Sequence, residues 1–181
     1  MTGIGFFKRL LGATAAEPAE PVRLQAPEGA RVLMVDDSPT LLAVLGRQLA
    51  QEGYATLRSL DGENALEVAR AEQPALIFLD IVLPGMNGFA VLRALRHDAL
   101  TRDIPIVMIS GNQQATEQFY VQRFGADDFI KKPFGRAELT TCIHKLVLSG
   151  RLAAREIVRE MASPPMPEES VVPESVAGIA A

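Results

Sequence analysis

The sequence predicts an α/β protein, a (βα)5 unit in which five parallel strands are covered by helices on both faces. Apolar runs of strand length recur five times between residues 30 and 149. Segments with helical spacing fill the intervals between them. The first, third and fourth runs are almost continuously apolar, as strands buried on both faces of a parallel sheet are. This alternation implies right-handed crossovers and a doubly wound, doubly covered sheet.

The strand runs are 30–37 (ARVLMVDD), 54–59 (YATLRS), 75–80 (ALIFLD), 104–110 (IPIVMIS) and 126–132 (ADDFIKK). Ser38 is suited to cap the first helix, with Pro39 at the first helical position and Leu41, Leu42, Leu45 and Leu49 at helical spacing. Asp61 can cap a second helix carrying Leu66 and Ala69, and a third places Phe89, Leu92 and Leu95 on one face. A fourth, more polar segment runs from about Asn112 to Arg123. The fifth, 136–148, brings Leu139, Ile143, Leu146 and Val147 together, with Cys142 beside them as core filler.

Outside this unit the composition changes. Residues 1–29 form a leader: a short segment, with Ile4, Phe6, Phe7, Leu10 and Leu11 around Lys8 and Arg9, and then an Ala/Pro/Glu linker over 12–29. The short segment is compatible with an amphipathic helix that docks on a partner or a membrane surface, or with a disordered leader. It is too short for a secretory signal or a membrane span. Residues 150–162 (GRLAAREIVREMA) are expected to form a C-terminal helical extension, with Arg151, Arg155 and Arg159 as a basic stripe on a solvated face. Residues 163–181, with four prolines, three glutamates and no basic residue, read as a disordered acidic tail.

A formal charge of -4 gives no reason to expect nucleic acid as a partner, and one cysteine excludes an intrachain disulfide. No stretch suits an integral membrane segment, so a cytoplasmic location is expected. His97 and His144 have no ligand-spaced neighbours and read as helix-surface residues.

The chemistry lies at the strand ends. In an open parallel sheet, ligands gather at the carboxyl edge. There the first strand ends in Asp36 and Asp37, the third in Asp80, the fourth in Ser110 followed by Gly111, and the fifth leads to Lys132 and Pro133. Taken singly, each of these is an ordinary cap, turn or solvated residue. Their convergence on one edge is what gives them chemical meaning. Clustered carboxylates repel unless protons or a cation sit among them, and hard oxygen ligands suit Mg2+. A carboxylate can attack phosphorus to form an acyl phosphate, with Lys132 and Mg2+ neutralising the phosphoryl oxygens. On this reading Asp80 is the phosphoacceptor. Asp37, helped by Asp36, holds the metal, and Ser110 and Lys132 grip the product while Gly111 leaves room for it.

These residues resemble the response-regulator receiver family over residues 30–149. The resemblance rests on VLMVDDS, IFLDIVLPGMNGF, IPIVMISG and GADDFIKKPF, and on intervals of 43 residues from Asp37 to Asp80, 30 to Ser110 and 22 to Lys132. It implies a flavodoxin-like sheet of order 2-1-3-4-5 and a cis Lys132–Pro133 peptide. It also implies the backbone carbonyl of Val82 as a further metal ligand. Phosphorylation would draw Ser110 inward and let Phe129 turn into the vacated space, remodelling the face of helix 4, strand 5 and helix 5 for a protein target. Phe129 lacks the hydroxyl of the commoner tyrosine. Val82 is apolar where fast-cycling members carry a polar side chain, so self-dephosphorylation is expected to be slow.

The implied function is a stand-alone, chemotaxis-type receiver that takes its phosphoryl group from a histidine kinase, with Mg2+ as cofactor. It would be a phosphoacceptor and not an enzyme acting on external substrates. Too few residues remain for a DNA-binding or cyclase unit, so protein–protein contact is the expected output, in chemotaxis-like or motility signalling. Two rivals belong to other classes. A metal-dependent phosphohydrolase would want an acidic residue at Val82. An unphosphorylated scaffold-type receiver tends to have lost the acidic pair, the Asp or the Lys, and all are present here.

Overall fold

The computed structural model describes residues 24–25, 27, 29–111, 123–153 and 155–156. In chain order the described elements are β1 (Leu24–Gln25), β2 (Arg31–Val35), α1 (Pro39–Gln51), β3 (Ala55–Ser59), α2 (Gly62–Glu72) and β4 (Leu76–Asp80). There follow α3 (Gly88–His97), β5 (Ile106–Ser110), β6 (Asp128–Lys131), α4 (Arg136–Leu148) and β7 (Arg155–Glu156). The helix expected over 112–123 lies, but for Arg123, outside the described residues, as do the short leader segment and the acidic tail.

The main sheet has the order β3-β2-β4-β5-β6. Every neighbouring pair is parallel. Counted within this sheet the order is 2-1-3-4-5. Alternate side chains along each strand point to opposite faces, and this divides the core in two. Val32, Met34, Phe78, Val107 and Ile109 pack with Leu42, Leu45 and Leu49 of α1 and with Leu139, Ile143 and Leu146 of α4. Leu33, Val35, Ile77, Leu79 and Met108 pack with Ala65 and Ala69 of α2 and with Val91, Leu92 and Leu95 of α3. All five residues of β4 and of β5 are buried, which is why they read as unbroken apolar runs.

Helix starts follow local chemistry. The side chain of Ser38 accepts from the Leu41 N–H at 3.3 Å ahead of Pro39, and Asp61 accepts from the Asn64 N–H at 2.7 Å. Asn87 caps α3 by accepting from the Ala90 N–H at 2.9 Å. At α4 the Glu138 carboxylate reaches back to the Gly135 N–H at 2.9 Å.

The flanks differ from expectation. Leu24–Gln25, inside the expected linker, pairs antiparallel with Arg155–Glu156, inside the expected C-terminal helix. The reason is visible at the end of α4. Gly150 adopts a φ of 71°, and the N–H groups of Arg151 and Leu152 both donate to the Leu146 carbonyl. Leu152 is then buried in the α1–α4 half of the core. That anchor precedes the pairing of Arg155–Glu156 with Leu24–Gln25. Isolated helices shorter than about 12 residues are marginal, so a strand partner prevails at 155–156. Arg151 is accordingly no member of a helical stripe, and the packed unit extends past residue 149 to Leu152. Among the described residues no helix is long and apolar enough to cross a membrane.

Candidate functional site

Three strands deliver the acidic and basic groups to one place. β2 runs into Asp36 and Asp37, and the Asp36 N–H is held by the Ser59 carbonyl of the neighbouring edge strand at 3.2 Å. Asp36 is buried, and its Oδ1 accepts the Ser38 N–H at 2.9 Å. β4 ends on Asp80, also buried, in register with Ile109 of β5. Carboxylate oxygens of Asp36, Asp37 and Asp80 lie within 4.8 Å of one another, with only Asp37 open to solvent.

Lys132 closes the group. Its Nζ donates to Asp36 Oδ2 at 2.6 Å and to Asp80 Oδ2 at 2.9 Å. The Lys132 N–H is fixed on the Ser110 carbonyl at 2.7 Å, and the Lys132–Pro133 peptide is cis. Burial alone would lower the Lys132 ammonium; its hydrogen bonds to Asp36 and Asp80, with their charges, outweigh it and hold it above its ordinary value. For Asp80 the balance is different. Burial pushes its carboxyl up, and the hydrogen bond and charge of Lys132 and the Val82 N–H do not fully offset that push. Three carboxylates thus face a single ammonium. The arrangement keeps Lys132 charged and leaves negative charge uncompensated, which suits a divalent cation held by oxygen.

The remaining sequence-predicted residues fall around this centre. Ser110 is fully buried at the end of β5, and Gly111 beside it is exposed. Among the described residues a Cβ on Gly111 would meet nothing within 4 Å. Phe129 on β6 is half-buried against the α2–α3 half of the core. The Val82 side chain is 68% exposed, while its N–H donates to the Asp80 carboxyl. His97 and His144 lie on α3 and α4, away from this group. Cys142 is buried, and burial followed by the charge of Asp128 pushes its thiol pKa up, as fits a core residue.

Sequence reasoning gave Asp36 a metal-holding role without its pairing to Lys132, and it missed Gly88. Asp36 shares Lys132 directly with Asp80, so it orients the lysine as well as adding charge. Gly88 lets the loop after β4 close on the strand: its N–H donates to the Ile81 carbonyl at 3.0 Å, and a Cβ there would lie 2.1 Å from the Asp80 carbonyl oxygen. The signal was present in the Asn87-Gly88 pair, a cap followed by the residue that tolerates close backbone approach.

The response regulator receiver domain family matches residues 32–144. Over 121 residues the chain is 38% identical to the protein PilH of Pseudomonas aeruginosa, covering 67% of this chain and 99% of PilH. It is 41% identical over 109 residues to the DNA-binding response regulator MtrA of Mycolicibacterium smegmatis, covering 60% of this chain but 46% of MtrA. Among solved structures, the chemotaxis protein CheY4 of Vibrio cholerae superposes with a TM-score of 0.61 at 27% identity, over 65% of this chain and 98% of that one. A CheY-like receiver domain protein from Methanospirillum hungatei gives a TM-score of 0.62 at 26% identity, over 68% and 97% of the two chains. With the family model matching residues 32–144, and with the sheet order that the resemblance implied, the chain belongs to the response regulator receiver domain family.

Proposed function

We propose that the chain is a phosphoacceptor whose Asp80 takes a phosphoryl group from a histidine kinase, with Mg2+ as cofactor. The observation that carries this reading is the sharing of the Lys132 ammonium between buried Asp36 and Asp80, with Asp37 beside them at the solvent edge. An Asp80 carboxylate oxygen attacks phosphorus as the bond from phosphorus to the donor imidazole nitrogen breaks, and the imidazole leaves. Lys132 then follows the charge from the carboxylate to the phosphoryl oxygens. Ser110 and the Gly111 backbone receive another of those oxygens. Asp36, Asp37, Asp80 and the Val82 carbonyl would hold Mg2+, which neutralises charge on the transferring group when bound.

Two concave regions support partner contacts. One, of about 460 Å³, joins Gly111 and Lys132 to Leu41, Val44 and Phe134, an apolar rim suited to a docking phosphodonor. The other, of about 590 Å³, follows β6 and α4 past Phe129, Lys131, Ala137, Thr141 and Lys145, and would present the switched state to a downstream protein. The likeness to the chemotaxis protein CheY4 supports chemotaxis-like signalling as the context of this phosphoacceptor. The exposed, apolar Val82 offers no acid for turnover on external substrates, which favours a phosphoacceptor over a phosphohydrolase.

Acetyl phosphate with Mg2+ tests this directly. Intact mass spectrometry should show one added phosphoryl group in the wild type and none in Asp80→Asn. Equal labelling of the two proteins would reject Asp80 as the acceptor.

A further inference from the structure

We propose that the segments flanking the matched family residues close on each other as a clasp beneath the sheet, and that this clasp holds the start of β6 through Arg151 and Asp127. The clasp lies at the edge opposite the phosphoacceptor and is independent of the reading of Asp80. Its ribbon is the antiparallel pairing of Leu24 with Glu156 and of Gln25 with Arg155. All four residues lie outside the family match of 32–144. A two-residue ladder is too short to be stable alone, so it needs anchors on both sides.

The structure supplies them. On the amino-terminal side, the Ala30 N–H donates to the Pro27 carbonyl at 3.0 Å, and Gly29 has a φ of 76°. This turn brings the chain from the ribbon into β2. On the carboxyl-terminal side, Leu152 is buried in the core, and Arg151 next to it reaches two acceptors. Arg151 Nε donates to Asp127 Oδ1 at 2.6 Å, and Nη2 to the Asp103 carbonyl at 3.4 Å.

Asp127 is where the clasp meets the sheet. Its Oδ2 accepts from Arg96 Nη2 at 2.9 Å and from the Ile106 N–H at 2.7 Å, while its own N–H donates to the Ile106 carbonyl at 2.8 Å. One carboxylate therefore joins α3, the start of β5, the entry to β6 and the segment after α4. β6 begins at the next residue and carries Phe129. A partner that pulls the leader or the tail off the ribbon releases Arg151 and loosens β6 from below.

The test uses the full-length chain. In the Gln25→Cys/Arg155→Cys variant, oxidised glutathione should close an intramolecular disulfide, because paired antiparallel residues have Cα atoms about 5 Å apart. Gln25→Cys alone, in which Cys142 stays buried, is the control and should not cross-link internally. Amide exchange at Ile106 and Asp127 should slow when the pair is oxidised. It should quicken about tenfold in Arg151→Gln, which loses the guanidinium hydrogen bonds to the Asp127 carboxylate and the Asp103 carbonyl. Failure of the pair to cross-link would overturn the clasp. Exchange at both amides unmoved by locking and by Arg151→Gln would overturn its hold on β6.

Discussion

Lys132 illustrates how much a single side chain does at the residue scale: it is the one ammonium within hydrogen-bond reach of both Asp36 and Asp80 among the described residues. The exposed, apolar Val82 beside the site is expected to set a rate. With no polar group there to orient water, the phosphorylated protein should lose its phosphoryl group slowly, and Val82→Asn should shorten the half-life about tenfold. Following the decay of phosphorylated protein checks this, and equal half-lives in the two proteins would contradict it. Far from the site, burial and then the charge of Glu52 raise the Tyr54 phenol to about 12. The raised value favours the neutral phenol in the folded state. Stability from Tyr54 is therefore complete below its ordinary pKa of 10.0 and lost as pH rises through about 12. Denaturation at rising pH should show wild type losing up to roughly 3 kcal/mol over that window relative to Tyr54→Phe. The acidic and phosphate-handling residues were legible in the sequence because each ends an apolar run. The pairing of Lys132 with Asp36 was not, since a contact across 96 residues leaves no local pattern.

At the scale of elements, caps and strand burial explain what was readable. Asp61 both ends the turn after β3 and accepts the Asn64 N–H, so Asp61→Ala should destabilise the protein by about 1 kcal/mol in chemical denaturation. A change within a few tenths of a kcal/mol of zero would mean that the cap is not used. β2, β4 and β5 were legible because burial on both faces leaves continuous apolar runs. β6 was read two residues too long at its start and one at its end. Asp127 there serves the hydrogen-bond network below the sheet, and Lys132 serves the site. The four-residue spacing of Arg151, Arg155 and Arg159 suggested a helix, but Gly150 and buried Leu152 decided the path instead. Neither two-residue strand carries a period from which to read it.

For the whole molecule, the sequence was informative because two apolar faces must be covered by helices, and only a crossover on each side does so. Strand order was a different matter: periodicity does not distinguish 2-1-3-4-5 from other parallel orders, and the family resemblance supplied it. The same architecture places the acidic cluster at one edge and Asp127 at the other, with β6 between them. A phosphoryl group at Asp80 should therefore be felt along β6 as well as at the site. Beryllofluoride, which stands in for the phosphoryl group on a carboxylate, tests that most directly when added with Mg2+ and followed by amide NMR in wild type and Asp80→Asn. The account predicts shifts around Ser110, Phe129 and Lys132 in the wild type alone. An absence of binding in the wild type, or the same shifts in Asp80→Asn, would contradict it.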